Sequence, residues 1–173
     1  MQNLSYSKEG QDLFVLNQLK NKRNGCFVEV GTAMPIEHNN TFLLESSYGW
    51  SGLLIEIDDR YINSIISQRK STLIHGNALE IDYLKKFKDL NFPKVIDYLS
   101  LDIDPPNNTL EVLKILPLQE YSFSCVTFEH DRYWFGDSVA NESREIFKKY
   151  GYTMIKKDVL CPAGPFEDWY IKE

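Results

Sequence analysis

The sequence predicts an α/β protein, a three-layer sandwich built on a mostly parallel seven-stranded sheet that closes with a C-terminal antiparallel hairpin. Three observations carry this expectation. Strand-like apolar runs alternate with amphipathic helical runs. The last two strand-like runs follow one another directly across a turn-rich segment. No linker or low-complexity tract breaks the pattern, so residues 1–173 are expected to form one domain. A chain of this length buries about 70% of the surface that its unfolded form exposes.

The elements follow in order. "EGQDLFVLNQLKNK" sets Leu13, Leu16 and Leu19 near one helical face and ends before Asn24-Gly25. Cys26 to Val30 is the first strand. "NNTFLLESSYG" reads as a short helix stopped by Gly49, and "GLLIEI" as the second strand. "DDRYINSIISQRK" opens with Asp58 and Asp59, carboxylates that favour a helix N-terminus. "STLIHGN" is a third strand leading into the helical "ALEIDYLKKFKDL". "KVIDYLSLDID" is a fourth, stopped by Pro105-Pro106, with the helix "NNTLEVLKIL" beyond. "SFSCVTFEH" is a fifth, followed by an aromatic loop, "DRYWFGD", and the helix "SREIFKKYG". "YTMIKKDV" and "DWYIK" flank "LCPAGPFE" and pair as the closing hairpin.

Composition excludes several classes. The net charge of −6 gives no general attraction for phosphate backbones, so no nucleic-acid partner is expected. No apolar run approaches the ~20 residues that span a bilayer, and the start lacks signal-peptide order, so a cytoplasmic protein is expected. Cys26, Cys125 and Cys161 are scattered and odd in number; they read as packing residues rather than a disulfide framework or zinc cage.

In sheets of this kind ligands bind beyond the carboxyl ends of the strands, where strand order reverses. Those ends carry Glu29 and Gly31, then Glu56, then His75 to Asn77, then Asp102 and Asp104, then Glu129 and His130. A purely structural sheet needs few polar residues there. Gly31 and Glu56, roughly 25 residues apart, are close to the ~20 typical of nucleotide-binding βαβ units, in which a glycine turn exposes backbone N–H groups and an acid accepts ribose hydroxyls. The three-glycine fingerprint for pyrophosphate is missing, since Thr32, Ala33, Met34 and Pro35 follow Gly31. Glu29 inside a buried strand asks for a positive partner. An adenosine ligand with a cationic group answers both, and S-adenosyl-L-methionine is such a ligand.

"YSKEGQDLFVLNQL", "FVEVGTAMP", "NNTFLLESSYGWSGLLIEID", "DYLSLDID" and "VTFEH" resemble, in order and spacing, the FkbM-like S-adenosylmethionine-dependent methyltransferases. The resemblance implies the Rossmann-like class I methyltransferase fold and O-methylation of a small hydroxylated molecule, often a sugar. It further implies Glu29 and Gly31 at the methionine end, Glu56 at the ribose, and Asn77 and Ala78 in the adenine region; Ile57 and Asp102 are further candidate cofactor contacts. In place of the acidic-glycine turn of many relatives stands "DIDPPNN", and Asp104-Pro105-Pro106 also resembles the motif of amino-directed methyltransferases, with Asn107 where these have an aromatic residue. A non-catalytic ligand-binding or interaction domain of the same fold is the other alternative.

Methyl transfer to a hydroxyl needs an acceptor held in line and relieved of its proton. Asp102 and Asp104 share one side of an extended strand, whereas Glu129 and His130 point to opposite sides. Asp104, His130 and either Asp102 or Glu129 are expected to converge, either as a metal-free base with His130 taking the proton or as ligands of a divalent metal. The metal-free form is preferred, because no HxH or DxH spacing demands an ion. Tyr133 and Trp134 are candidate substrate contacts beside the fifth strand, against a purely structural aromatic plug.

Overall fold

The computed structural model describes residues 4–173. Seven strands form: β1 (Cys26–Val30), β2 (Ser51–Glu56), β3 (Thr72–His75), β4 (Val95–Leu101), β5 (Ser122–Glu129), β6 (Thr153–Cys161) and β7 (Gly164–Ile171). They make one sheet in the order β3-β2-β1-β4-β5-β7-β6. The pairs among β1 to β5 are parallel, and β7 runs antiparallel to both β5 and β6. The expected seven-stranded sheet with a terminal hairpin is therefore present.

Period-2 alternation divides the sheet into two faces. On one, Val28, Val30, Leu53, Ile55, Leu99, Leu101, Val126 and Phe128 are buried in the larger core, together with Leu110 and Leu113 of α5 (Pro106–Ile115) and Val139 and Phe147 of α7 (Asp137–Lys149). On the other, Phe27, Leu54, Tyr98, Cys125 and Trp169 pack with Phe14, Val15 and Leu16 of α1 (Gln11–Gln18) and Leu43 and Leu44 of α2 (Phe42–Tyr48). The same alternation carries Glu29, Glu56, Asp102, Glu129 and Glu167 onto that second face.

Several elements differ from the sequence expectation. The buried face of α1 is Phe14, Val15 and Leu16 rather than a Leu13-Leu16-Leu19 stripe, and the helix ends at Gln18, followed by left-handed Lys20, Asn21 and Asn24. The segment after β3 splits into a 3-10 turn (Ala78–Glu80) and α4 (Tyr83–Asp89), because Asp82 accepts a hydrogen bond from Lys85 N at 2.9 Å and starts a new helix. α7 begins at Asp137 instead of Ser143: Val139, Ala140, Ser143 and Phe147 recur at helical spacing along its buried face. The hairpin is longer than expected, only Pro162 and Ala163 separating β6 from β7. Between these elements lie α3 (Asp59–Gln68), capped by Asp58, and the single-turn α6 (Arg132–Phe135).

Candidate functional site

Strand order reverses at β1, whose neighbours are β2 and β4. Beyond these carboxyl ends lies a cleft of about 500 Å³, lined by Glu29, Gly31, Glu56, Ile57, Asp102 and Asp104 among others. That is the size and place in which α/β sheets take small ligands. A wider groove of about 790 Å³ adjoins it through Lys8, Glu37 and His38, and is walled by the N-terminal segment and the Cys161–Ala163 turn. Asp12 pins that segment by accepting from Ser5 Oγ (2.6 Å), Tyr6 N (2.8 Å) and Ser7 Oγ (2.8 Å).

Gly31 shapes the floor. Its φ is +87°, and a Cβ there would lie 1.7 Å from the carbonyl oxygen of Asp102. Only a residue without a side chain lets the turn after β1 press against the end of β4.

Glu29 is buried and already has partners inside the protein. Its Oε2 accepts from Asn39 Nδ2 and Thr41 Oγ1, each at 3.1 Å, and lies 3.8 Å from Arg69 Nη1. Arg69 is fully enclosed, donating to Asn39 Oδ1 (3.0 Å), Thr41 Oγ1 (2.8 Å) and Glu45 Oε2 (3.2 Å). Burial pushes the Glu29 carboxyl up to about 7, against the pull of Arg69 and the two hydrogen bonds. The partner that the sequence reading asked for is present within the protein: Arg69 stands beside this carboxyl, with Asn39 and Thr41 donating to it.

Glu56 is likewise occupied. Its Oε2 accepts from Ala33 N (2.6 Å), and its Oε1 from Ile57 N (2.8 Å) and Asp58 N (2.7 Å). A carboxylate offers about four lone pairs. Three are used, so one hydroxyl can be accepted without disturbing the backbone, where the sequence reading expects two.

Other expected residues lie elsewhere. Asn77 caps the 3-10 turn by accepting from Leu79 N at 3.0 Å, and Ala78 is buried in the core; neither lines the cleft. The aromatic segment divides three ways: Tyr133 lies against the backbone of Gly164, Phe135 packs on the core, and Trp134 is 62% exposed.

The ends of β4 and β5 carry two separate clusters. Asp104, Glu129 and Asp131 form the first, with carboxylate oxygens within 4.8 Å of one another, and Asp102 hydrogen-bonds Glu129. Burial, and then the charge of Asp102, pushes the Glu129 carboxyl up to about 12, while burial also raises Asp102 and Asp131. A proton shared along this row follows. His130, Asp158 and Asp168 form the second cluster. The His130 ring is fully buried, with Nε2 3.4 Å from Asp168 Oδ1 and Nδ1 accepting from Arg132 N at 3.2 Å. Arg144 holds Asp158 (2.7 Å) and Asp168 (2.7 Å) from the other side. The expected convergence of His130 with Asp104 and Asp102 is thus corrected: alternation at the end of β5 sends His130 to one face and Glu129 to the other. Lys8, Asn39, Arg69 and Asp131 were not expected at the site. For Asp131 the sequence did hold a signal, since it directly follows the strand-end Glu129-His130 pair.

No protein-family model matches the chain, and no curated protein matches it. Solved structures do resemble it. A provisionally assigned rRNA methylase from Clostridium thermocellum shares 14% identity at a TM-score of 0.63, over 98% of this chain and 97% of that one. An rRNA methylase from Streptococcus thermophilus shares 14% at 0.58, over 95% and 97%. Aeropyrum pernix fibrillarin, solved with natively bound S-adenosyl-L-methionine, shares 13% at 0.57, over 96% and 74%. At such identities the likeness is one of fold: this chain has the Rossmann-like fold of the methyltransferases. Among the described residues no helix is long and apolar enough to cross a membrane.

Proposed function

We propose that the chain is a single-domain S-adenosylmethionine-dependent methyltransferase that methylates a hydroxyl of a small acceptor, such as a sugar. The observation that carries this reading is the cleft at the strand-order reversal, with Glu29 and Gly31 on one side and Glu56 on the other and no glycine cradle for phosphate. The fold shared with fibrillarin and the rRNA methylases supports it. Glu29 faces the ammonium of the methionine moiety, Glu56 accepts a ribose hydroxyl, and Ile57 lies along the ribose and adenine. The adjoining groove takes the acceptor, and Tyr133, which lies against Gly164, and the exposed Trp134 are its proposed further contacts. The FkbM-like resemblance and a cytoplasmic location belong to the same reading.

The chemistry is an in-line displacement. The acceptor oxygen bonds to the methyl carbon, the sulfur leaves with the C–S electron pair, and the hydroxyl proton passes to the Asp102–Glu129 row. Asp104 orients the acceptor at the exposed end of that row. Two other readings remain distinct in outcome: transfer to an amino group beside Asp104-Pro105-Pro106, and a domain that binds the cofactor without turnover. Like the acidic mouth, the net charge of −6 disfavours an RNA acceptor.

The test is methyl transfer from labelled S-adenosylmethionine to panels of hydroxylated metabolites, amines and short RNAs. Labelled ether product is the expected result. Labelled amine or RNA, or cofactor binding without any product, overturns the O-directed reading.

A further inference from the structure

We propose that the side-chain carbonyl of Asn40 accepts a hydrogen bond from the ammonium of the methionine moiety, and that Ser100 and Tyr98 hold the amide in the orientation this needs. The inference rests on the proposed function for which ligand fills the cleft, and adds to it a residue that sets specificity.

Asn40 lines the cleft and is only 7% exposed. Its Nδ2 donates to Ser100 Oγ at 3.0 Å. Its Oδ1 receives no hydrogen bond from any described residue, yet it is not sealed from solvent, so the cleft is where it can meet a donor. A polar group this deep in a protein is normally paired, and here the missing donor falls to a ligand.

The backbone that presents Asn40 is held firmly. Asn39 Oδ1 accepts from Thr41 N (3.0 Å) and Phe42 N (2.8 Å) at the start of α2, while Asn39 Nδ2 donates to Glu29 Oε2. Glu29 and Ser100 are partners in the parallel register of β1 and β4. The two consecutive asparagines therefore seat on neighbouring positions of one sheet face, which brings Asn40 Oδ1 and the Glu29 carboxyl to the same end of the cleft. Glu29 Oε1, like Asn40 Oδ1, receives no hydrogen bond from the described residues and is not sealed from solvent. An ammonium offers three donors to such a pair of oxygens; a ligand carboxylate offers none.

An amide can in principle present either end. The hydroxyls behind Asn40 decide which. Tyr98 is completely buried, its hydroxyl 2.8 Å from Thr127 Oγ1 and also hydrogen-bonded by Ser100. A serine hydroxyl carries one proton. By accepting from Asn40 Nδ2, Ser100 keeps that proton for Tyr98. Turning the amide over would demand the proton for Oδ1 and strip Tyr98 of a donor inside the core, so the carbonyl stays outward.

The experiment measures by calorimetry the affinity for S-adenosylhomocysteine and for methylthioadenosine, which keeps the nucleoside and lacks the ammonium. Asn40→Ala should weaken S-adenosylhomocysteine binding by about 10–100-fold, the loss of one charge-assisted hydrogen bond, and leave methylthioadenosine at the parent affinity. Asn40→Asp restores an acceptor and should recover most of the loss. Ser100→Ala releases the amide and should move the ratio of the two affinities in the same direction by a smaller factor, which a merely structural role would not do. Unchanged S-adenosylhomocysteine affinity in Asn40→Ala, or an equal loss for both ligands in the folded variant, overturns the assignment. If Asn40→Ala does not fold, the Ser100→Ala ratio decides in its place, and an unchanged ratio overturns it. A parent chain that binds neither ligand overturns it together with the methyltransferase reading, whereas Asn40-dependent binding without methyl transfer to any acceptor counts against that reading alone.

Discussion

Arg69 Nη1 lies 3.8 Å from Glu29 Oε2, and both side chains are buried beneath the cleft. The guanidinium also reaches Asn39, Thr41 and Glu45, joining the end of α3 to the loop after β1 and to α2. Truncating one partner leaves the other charged and enclosed, which costs about 3–5 kcal/mol. Arg69→Met should lower stability to urea by that order, measured by tryptophan fluorescence. A loss below about 1 kcal/mol would mean that the pair is not what holds this corner.

Glu29 makes stability and ligand binding respond to pH in opposite directions. Its carboxyl is raised from 4.5 to about 7 in the folded chain, so between those values the folded state holds a proton that the unfolded state has lost. The contribution to stability is full below about 4.5 and is lost as pH rises through about 7, a change of about 3 kcal/mol at ~1.4 kcal/mol per unit. Glu29→Gln should flatten this part of the stability profile. Attraction for a ligand ammonium needs the ionised form, so affinity for S-adenosylhomocysteine should climb over the same interval in the parent chain and stay flat in the variant. Parallel pH profiles in the two proteins would remove Glu29 from the ligand contacts.

Glu56 holds three backbone amides and has room for one hydroxyl. Glu56→Ala therefore loses a charge-assisted contact of about 1.5–3 kcal/mol to the ligand, and also leaves the turn at Ile57 and Asp58 without its acceptor. Calorimetry should show the weaker affinity together with a lower melting temperature. Glu56→Gln keeps the shape and part of the capping, so its affinity should fall between the two. Unchanged affinity in the alanine variant, with the chain folded by circular dichroism, would sink the ribose assignment.

What the sequence made legible follows from where the signal is local. β1 was readable to the residue because Cys26–Val30 is an apolar run bounded by Gly25 and Gly31. The acidic strand ends were readable because period-2 alternation is set by the chain itself. Arg69 was not, since "SQRK" looks like an ordinary solvated helix end, and only the tertiary fold turns that guanidinium inward. The hairpin was misjudged for a related reason: Pro165 and Gly164 read as turn, yet they sit at the start of β7, where Gly164 has φ +138° against Tyr133. Lys8 lies before the first element, in a segment whose path depends on Asp12.

Gly31 offers a check on the floor of the cleft. Gly31→Ala meets both a left-handed φ of +87° and a carbonyl oxygen 1.7 Å away. The conformational term alone exceeds about 1 kcal/mol, and backbone cannot give way as a flexible side chain would. The variant should unfold at markedly lower urea concentration, with cofactor affinity lost even where it remains folded. Wild-type affinity would show that the turn has another way to meet β4.

The last prediction separates the two clusters at the end of β5. His130 Nδ1 accepts the Arg132 backbone N–H, which leaves the ring proton on Nε2, directed towards Asp168 and Asp158. A ring whose acceptor nitrogen is taken and whose surface is fully buried has no free lone pair to offer an acceptor hydroxyl. It is suited instead to joining β5 to the β6–β7 hairpin, where Asp168 is held below the usual carboxylate range: burial opposes this, but hydrogen bonds from His130 and Arg144 outweigh it. His130→Ala should therefore destabilise the chain by about 1–3 kcal/mol, the cost of buried partners left unsatisfied, while kcat per folded molecule and cofactor affinity stay at the parent values. Asp102→Asn and Glu129→Gln should do the reverse, relieving like-charge crowding and so raising the melting temperature while kcat falls. A His130→Ala protein that is stable but inactive would return the proton to the imidazole and remove the carboxylate row from the reaction.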